Sequence, residues 1–125
     1  MLSPRSLSAS VAAGRVVIGA ALLAAPGATG RPWLGAAAET GGGGVAVRAL
    51  GARDFTLGAL TLLALRDAGP LAPALVAGSA FCDLSDGAAL FVARREVPPA
   101  GVATGVFALG SAALGAALAL ALRRD

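Results

Sequence analysis

The amino-acid sequence predicts an all-α integral membrane protein with four helices that run up, down, up and down. Hydrophobic residues make up 57% of the 125 residues, above the roughly 45–50% of soluble domains. Charged residues make up 14%, against about 25% in a soluble domain. Because a chain of this length forms one domain, we expect residues 1–125 to be a single unit surrounded by lipid.

Four segments are long and apolar enough for the roughly 20 residues that a membrane helix requires. They cover residues 7–26, 45–65, 71–93 and 100–122. The first segment contains one charge, Arg15, near its middle, and the fourth contains none. The second carries Arg53 and Asp54 near its centre and the third carries Asp83 and Asp86, which is unusual for lipid-facing helices.

The connections between these segments contain helix-breaking residues. Residues 26–44 are rich in Pro and Gly, and the run of four glycines at 41–44 predicts a flexible loop beyond an interfacial Trp33. The sequences "RDAGP" at 66–70 and "RREVPP" at 94–99 predict short turns. Short turns make consecutive helices antiparallel neighbours.

The first segment has a second interpretation, and the distribution of Arg indicates an orientation. Arg5, the apolar run and "AAA" at 36–38 also fit a signal peptide that is cleaved before Glu39. With four spans, the termini and the 66–70 turn share one side. That side carries slightly more Arg than the other, which favours cytoplasmic termini in a bacterial plasma membrane.

The charges of the second segment need partners on other helices. Arg53 and Asp54 at a helix centre cost roughly 5–7 kcal/mol to insert, and the segment's nine large apolar residues return roughly 3–5 kcal/mol. Insertion alone is therefore marginal or unfavourable. Buried charges in membranes usually pair within the protein interior.

Helical periodicity identifies those partners. One stripe of the third segment, at i, i+3, i+4 and i+7, contains Ser79, Cys82, Asp83 and Asp86. Arg15, Arg53 and Asp54 lie at about the same depth in the bilayer as this stripe. Arg48 points away from Arg53 and Asp54, and we expect it to reach the headgroups. We expect a buried polar cluster of Arg15, Arg53, Asp54, Ser79, Cys82, Asp83 and Asp86. Its two arginines face three aspartates, so one negative charge remains if all are ionised.

Several glycines predict close helix packing. The patterns "GVATG" at 101–105 and "SAALG" at 111–115 have small residues four apart. We expect packing roles for Gly51, Gly58, Gly101, Gly105 and Gly115. The contacts lie either within one chain or between the two copies of a homodimer.

The residues that are absent exclude several chemistries. The chain has no His and a single cysteine, Cys82, so a zinc, copper or His-ligated haem site and a Ser-His-Asp triad are not expected. We expect no cofactor and no metal. All ten basic residues are Arg and are scattered along the chain, which argues against nucleic-acid binding. The Arg, Ala and Gly bias is typical of a GC-rich bacterial source.

Two stretches carry a family resemblance. "GRVVIGAALLAAP" followed by "RALGARDFTLGALTLL" resembles a family of small four-helix bacterial membrane proteins of unknown function, and more distantly the DoxX-like group. The matching positions are Arg15 and Gly19 in the first helix, and Gly51, Arg53, Asp54 and Gly58 in the second. The resemblance implies the four-helix architecture, an Asp on the third helix and no assigned activity.

The sequence leaves three functions open. The first is a non-enzymatic protein whose polar cluster binds a small amphipathic ligand or a partner membrane subunit. The second is a small proton-coupled exporter that acts as a dimer, with Asp83 or Asp86 as the titrating acid. The third is a membrane-embedded enzyme that acts on a lipid or quinone, with an Asp as general acid–base.

Overall fold

A computed structural model describes residues 2–124, and this part of the chain is helical without any strand. The prediction of an all-α chain is confirmed. The elements, in chain order, are α1 (Pro4–Ala24), α2 (Pro26–Leu34), a 3₁₀ turn (Gly35–Glu39), α3 (Gly41–Arg66), α4 (Ala72–Val92) and α5 (Pro99–Leu122). Each of the four predicted segments overlaps one of the long helices α1, α3, α4 and α5.

Two of the long helices, α1 and α3, begin at side chains that satisfy a free backbone N–H group of the first turn. The Ser3 side chain accepts a hydrogen bond from Ser6 N at 3.1 Å, and Pro4 follows in the first turn of α1. The Thr40 side chain accepts from Gly43 N at 3.0 Å and so caps α3. Side-chain oxygens at this position stabilise a helix start.

The prediction that residues 26–44 form a flexible loop is wrong. Pro26 begins α2, where its fixed φ suits the first helical position. Trp33 Nε1 donates to the Thr29 carbonyl at 2.9 Å and holds the last turn of α2. The glycines at 41–44 form the first turn of α3, because the Thr40 cap starts the helix before them.

Helices α1 and α3 pack as an antiparallel pair at very short range. A Cβ at Gly58 would lie 2.6 Å from the Ala12 carbonyl oxygen, and one at Gly51 would lie 2.8 Å from the Gly19 carbonyl oxygen. A Cβ at Gly19 would in turn collide with the backbone at Phe55. Only glycine allows the two backbones to approach this closely.

Helices α4 and α5 form the second antiparallel pair. A Cβ at Gly105 would lie 3.0 Å from Leu90 Cβ, and one at Gly115 would lie 2.9 Å from Ala80 Cβ. Gly101 lies directly against the Trp33 carbonyl, which joins the start of α5 to α2. The predicted packing glycines thus all lie against residues of the same chain.

Two apolar clusters lie at opposite ends of the pairs. At one end Leu22, Ala38 and Val47 pack with Trp33 and Leu50. At the other end Val76, Leu118 and Ala119 pack with residues that include Leu7. The polar cluster predicted from the sequence falls between these ends, in the middle of the molecule.

Three of the long helices, α1, α4 and α5, are long and apolar enough to cross a membrane. Helix α3 has 26 residues and is the longest. It falls outside this group because Arg48, Arg53 and Asp54 interrupt its apolar sequence. By length and composition, the structure therefore supports three of the four predicted membrane segments.

Candidate functional site

Arg15 is the centre of the polar cluster and joins α1 to two other helices. It is only 8% exposed. Its Nη1 donates to Asp54 Oδ1 on α3 at 3.0 Å, and its Nη2 donates to the Ser79 carbonyl on α4 at 3.2 Å. Nη2 also forms an ion pair with Asp83 Oδ2. One guanidinium thus holds three helices together through charge-assisted hydrogen bonds.

Arg53 forms the second half of the cluster. Its Nη1 and Nη2 donate to the two carboxylate oxygens of Asp86 at 3.0 and 2.6 Å, which is bidentate geometry between α3 and α4. Its Nε and Nη2 also donate to Asp54 Oδ1, at 3.2 and 3.0 Å. Asp54 therefore connects Arg15 and Arg53, and the two ion-pair systems form one network.

Ser111 is a member of the network that the sequence analysis did not identify. Its hydroxyl donates to Asp83 Oδ2 at 2.7 Å and adds α5 to the cluster. The small-residue pattern at 111–115 predicts only a packing role for Ser111. A usable signal was present, because Thr104 and Ser111 are seven residues apart on an otherwise apolar helix and so share one face.

The other predicted residues have smaller roles. Ser79 lies in the cluster and contributes its backbone carbonyl. Cys82 is half-buried as a free thiol. Arg48 is exposed on α3. The five charged residues of the predicted interior are brought together, while Cys82 takes no part in their hydrogen bonds.

A groove of about 1130 Å³ lies between the α1/α3 pair and the α4/α5 pair. Its polar lining includes Asp54, Asp83, Asp86 and Arg15. Its walls are mainly apolar and include Leu22, Trp33, Leu50, Leu90, Phe107 and Leu114. Cys82 is not part of the lining. A mainly apolar cavity with a few convergent polar groups is the usual form of a small-molecule site.

A second, much smaller cavity of about 20 Å³ lies on the other side of Arg15. Among residues 2–124, three fully buried polar side-chain atoms lack a hydrogen-bond partner: Ser8 Oγ, Thr61 Oγ1 and Arg15 Nε. All three residues line this cavity. Its volume is large enough for one water molecule.

The cluster is electrostatically unbalanced. Two guanidinium groups face three carboxylates, which leaves one formal negative charge in excess. Asp54 and Asp83 each accept their hydrogen bonds through a single oxygen, Oδ1 and Oδ2 respectively. Within residues 2–124, Asp54 Oδ2 and Asp83 Oδ1 accept no hydrogen bond. Both oxygens keep some accessibility, because neither is among the fully buried unpaired atoms.

Comparisons with known proteins give no relative from which a role could be transferred. A group of His, Cys, Asp or Glu residues that could hold a metal ion is absent from the part of the chain that the structure describes. No protein-family model, curated protein or solved structure matches the chain. Its function must be inferred from the cluster and the groove.

Proposed function

We propose that this chain is a non-enzymatic, multi-pass protein of a bacterial plasma membrane, with cytoplasmic termini. Its four long helices would cross the bilayer as an up-down-up-down bundle. The groove between the helix pairs would bind a small amphipathic ligand, with the ligand's polar end at the cluster. The observation that carries the proposal is the acidic cluster on the lining of a large apolar groove.

The outer surface supports a position in lipid. Large apolar side chains are highly exposed on every long helix, for example Val17 on α1, Val45 on α3, Phe81 on α4 and Val106 on α5. Water would make such a surface an aggregation hazard, whereas acyl chains solvate it without cost. The resemblance to small four-helix bacterial membrane proteins agrees with this placement.

Helix α3 is long enough to cross the bilayer despite its central charges. At 1.5 Å per residue, its 26 residues span about 39 Å, enough for the roughly 30 Å hydrocarbon layer. Its central charges are both paired: Arg53 with Asp86 and Asp54 with Arg15. The two side chains are 29% and 14% exposed, so most of their surface would not meet lipid. Pairing removes most of the cost that the sequence alone assigns to this helix.

Single-cysteine labelling tests the crossing of α3. In a Cys82→Ser background, Gly41→Cys and Arg66→Cys place a thiol at each end of the helix. Both residues are exposed, and a Cβ at Gly41 meets no atom within 4 Å. A membrane-impermeant maleimide should label the two variants from opposite sides of the membrane. Labelling of both from the same side would show that α3 does not cross.

The volume and chemistry of the groove support ligand binding. Small-molecule pockets are usually about 300–1,000 Å³, and this groove, at about 1130 Å³, can accommodate an alkyl chain together with a polar head. The walls supply apolar area, and the three aspartates supply directed acceptors. Ionisable residues inside membrane helices mark binding sites and pathways by default.

Native mass spectrometry from mild detergent tests the ligand. When the wild-type protein is released from the detergent, it should retain a bound small molecule. The mass of that molecule would identify its chemical class. Asp83→Asn should lose that adduct, while Asp67→Asn, an exposed acid in the turn between α3 and α4, should keep it. If the wild type carries no adduct and Asp83→Asn fails to accumulate, the charges only pair helices and the proposal is wrong.

A further inference from the structure

The charge of the groove indicates what kind of head group it receives. Its charged lining comprises the three carboxylates of Asp54, Asp83 and Asp86 and one guanidinium, that of Arg15. Arg53, the second cation of the cluster, is not part of the lining. A molecule that enters the groove therefore meets a surface with an excess of negative charge.

The hydrogen bonding of Arg15 leaves acceptors available. Its two terminal nitrogens are used by Asp54 Oδ1, Asp83 Oδ2 and the Ser79 carbonyl. The second oxygens, Asp54 Oδ2 and Asp83 Oδ1, accept nothing from residues 2–124 and keep some accessibility. Unpaired carboxylate oxygens in an apolar environment are costly unless a donor or a cation is supplied.

We infer that the ligand is an amphiphile with a singly charged alkylammonium head, held between Asp54 and Asp83, and with its alkyl chain against the apolar walls of the groove. This inference rests on the proposed ligand-binding function and names its substrate class. One positive charge balances the excess negative charge of the cluster. The N–H groups of a primary or secondary ammonium donate to the two free carboxylate oxygens, which a quaternary ammonium cannot do.

Other head groups fit less well. An anionic head would add to the excess negative charge in a medium of low dielectric constant, where like charges repel strongly. A neutral alcohol donates one hydrogen bond and leaves the charge unbalanced. The ammonium donates a second hydrogen bond to a carboxylate, so at least about tenfold tighter binding is expected for it than for the alcohol.

The position of Trp33 provides a direct readout. It is the only tryptophan of the chain and it lines the groove. Three amphiphiles with the same brominated alkyl chain and a primary ammonium, an alcohol or a sulfate head would be titrated against the full-length protein in zwitterionic nanodiscs. Bromine on the chain quenches Trp33 fluorescence when the chain occupies the groove, and unlabelled amphiphile should reverse the quenching.

The outcomes separate the inference from the proposed function. The inference is supported if the ammonium amphiphile quenches Trp33 saturably at a concentration at least about tenfold below that of the alcohol. Equal affinity of alcohol and ammonium, or tighter binding of the sulfate, would overturn the charged head while retaining a ligand groove. If none of the three quenches saturably, the groove binds no amphiphile and the proposed function fails as well.

A variant pair locates the head. Asp83→Asn should weaken binding of the ammonium at least about tenfold more than it weakens binding of the alcohol, whereas Asp67→Asn should change neither. An equal loss for alcohol and ammonium in Asp83→Asn would mean that the groove itself is disturbed, and would contradict a head held at Asp83. The head-group series on the unmodified protein does not depend on the folding of any variant.

Discussion

Replacement of Arg15 by methionine should show how much the cluster contributes to the stability of the fold. Methionine keeps an unbranched apolar stem and removes the guanidinium group with its charge. Asp54 would keep the hydrogen bonds from Arg53, but Asp83 would keep only the Ser111 hydroxyl. The variant thus leaves the Asp83 carboxylate without a cationic partner in the middle of the helices.

The expected loss in free energy of unfolding follows from that unpaired charge. Removal of one partner from a buried ion pair costs about 3–5 kcal/mol. The Asp83 side chain is 13% exposed and therefore retains some solvation, so we expect the lower end, about 3 kcal/mol. The unfolding equilibrium constant would rise on the order of a hundredfold.

Unfolding by sodium dodecyl sulfate in mixed micelles, followed by Trp33 fluorescence, would measure this cost. Arg31→Met is the matched control, because Arg31 pairs with Glu39 at 3.1 Å on an exposed surface and should lose less than about 1 kcal/mol. In the Arg15→Met background, Asp83→Asn should recover stability, since it removes the unpaired charge. The reasoning is refuted if Arg15→Met costs no more than Arg31→Met, or if Asp83→Asn destabilises both backgrounds equally.

Three further changes can be measured by the same unfolding titration. Gly58→Ala should cost about 1–3 kcal/mol, because its Cβ would lie 2.6 Å from the Ala12 carbonyl oxygen, while Gly110→Ala, with open space around it, should be neutral or stabilising; equal effects would contradict close α1–α3 packing. Thr40→Ala should cost about 1 kcal/mol through loss of the α3 cap, and no loss would contradict that role. Arg53→Lys should cost at least about 1.5 kcal/mol, because an ammonium cannot reproduce the bidentate contact with Asp86; full stability would show that this geometry is unimportant.

Much of the cluster could be predicted from sequence because charges inside an apolar protein have few alternatives. Arg53 and Asp54 are too costly to face lipid, and helical periodicity restricts their partners to the residues at the same depth. Asp83 and Asp86 satisfy both conditions on α4. Which Arg pairs with which Asp was not predictable, because that depends on the rotation of each helix about its axis.

The link at residues 26–44 shows that local Gly and Pro patterns do not always predict a loop. Gly and Pro usually mark loops, but residues 26–44 form helix α2, a 3₁₀ turn and the start of α3. The Thr40 cap and the packing of Ala38 against Leu22 and Val47 outweigh the poor helix propensity of the glycines. Tertiary contacts at this end of the molecule override composition.

The sequence by itself determined that the chain is helical, that its surface is apolar, and that its few central charges must meet one another. These follow from composition and periodicity, which every helix carries locally. Only the tertiary structure decided that Ser111 joins Asp83 and that a groove separates the two helix pairs. Both depend on how closely the glycines let α1 approach α3 and α4 approach α5, a distance that no single helix encodes.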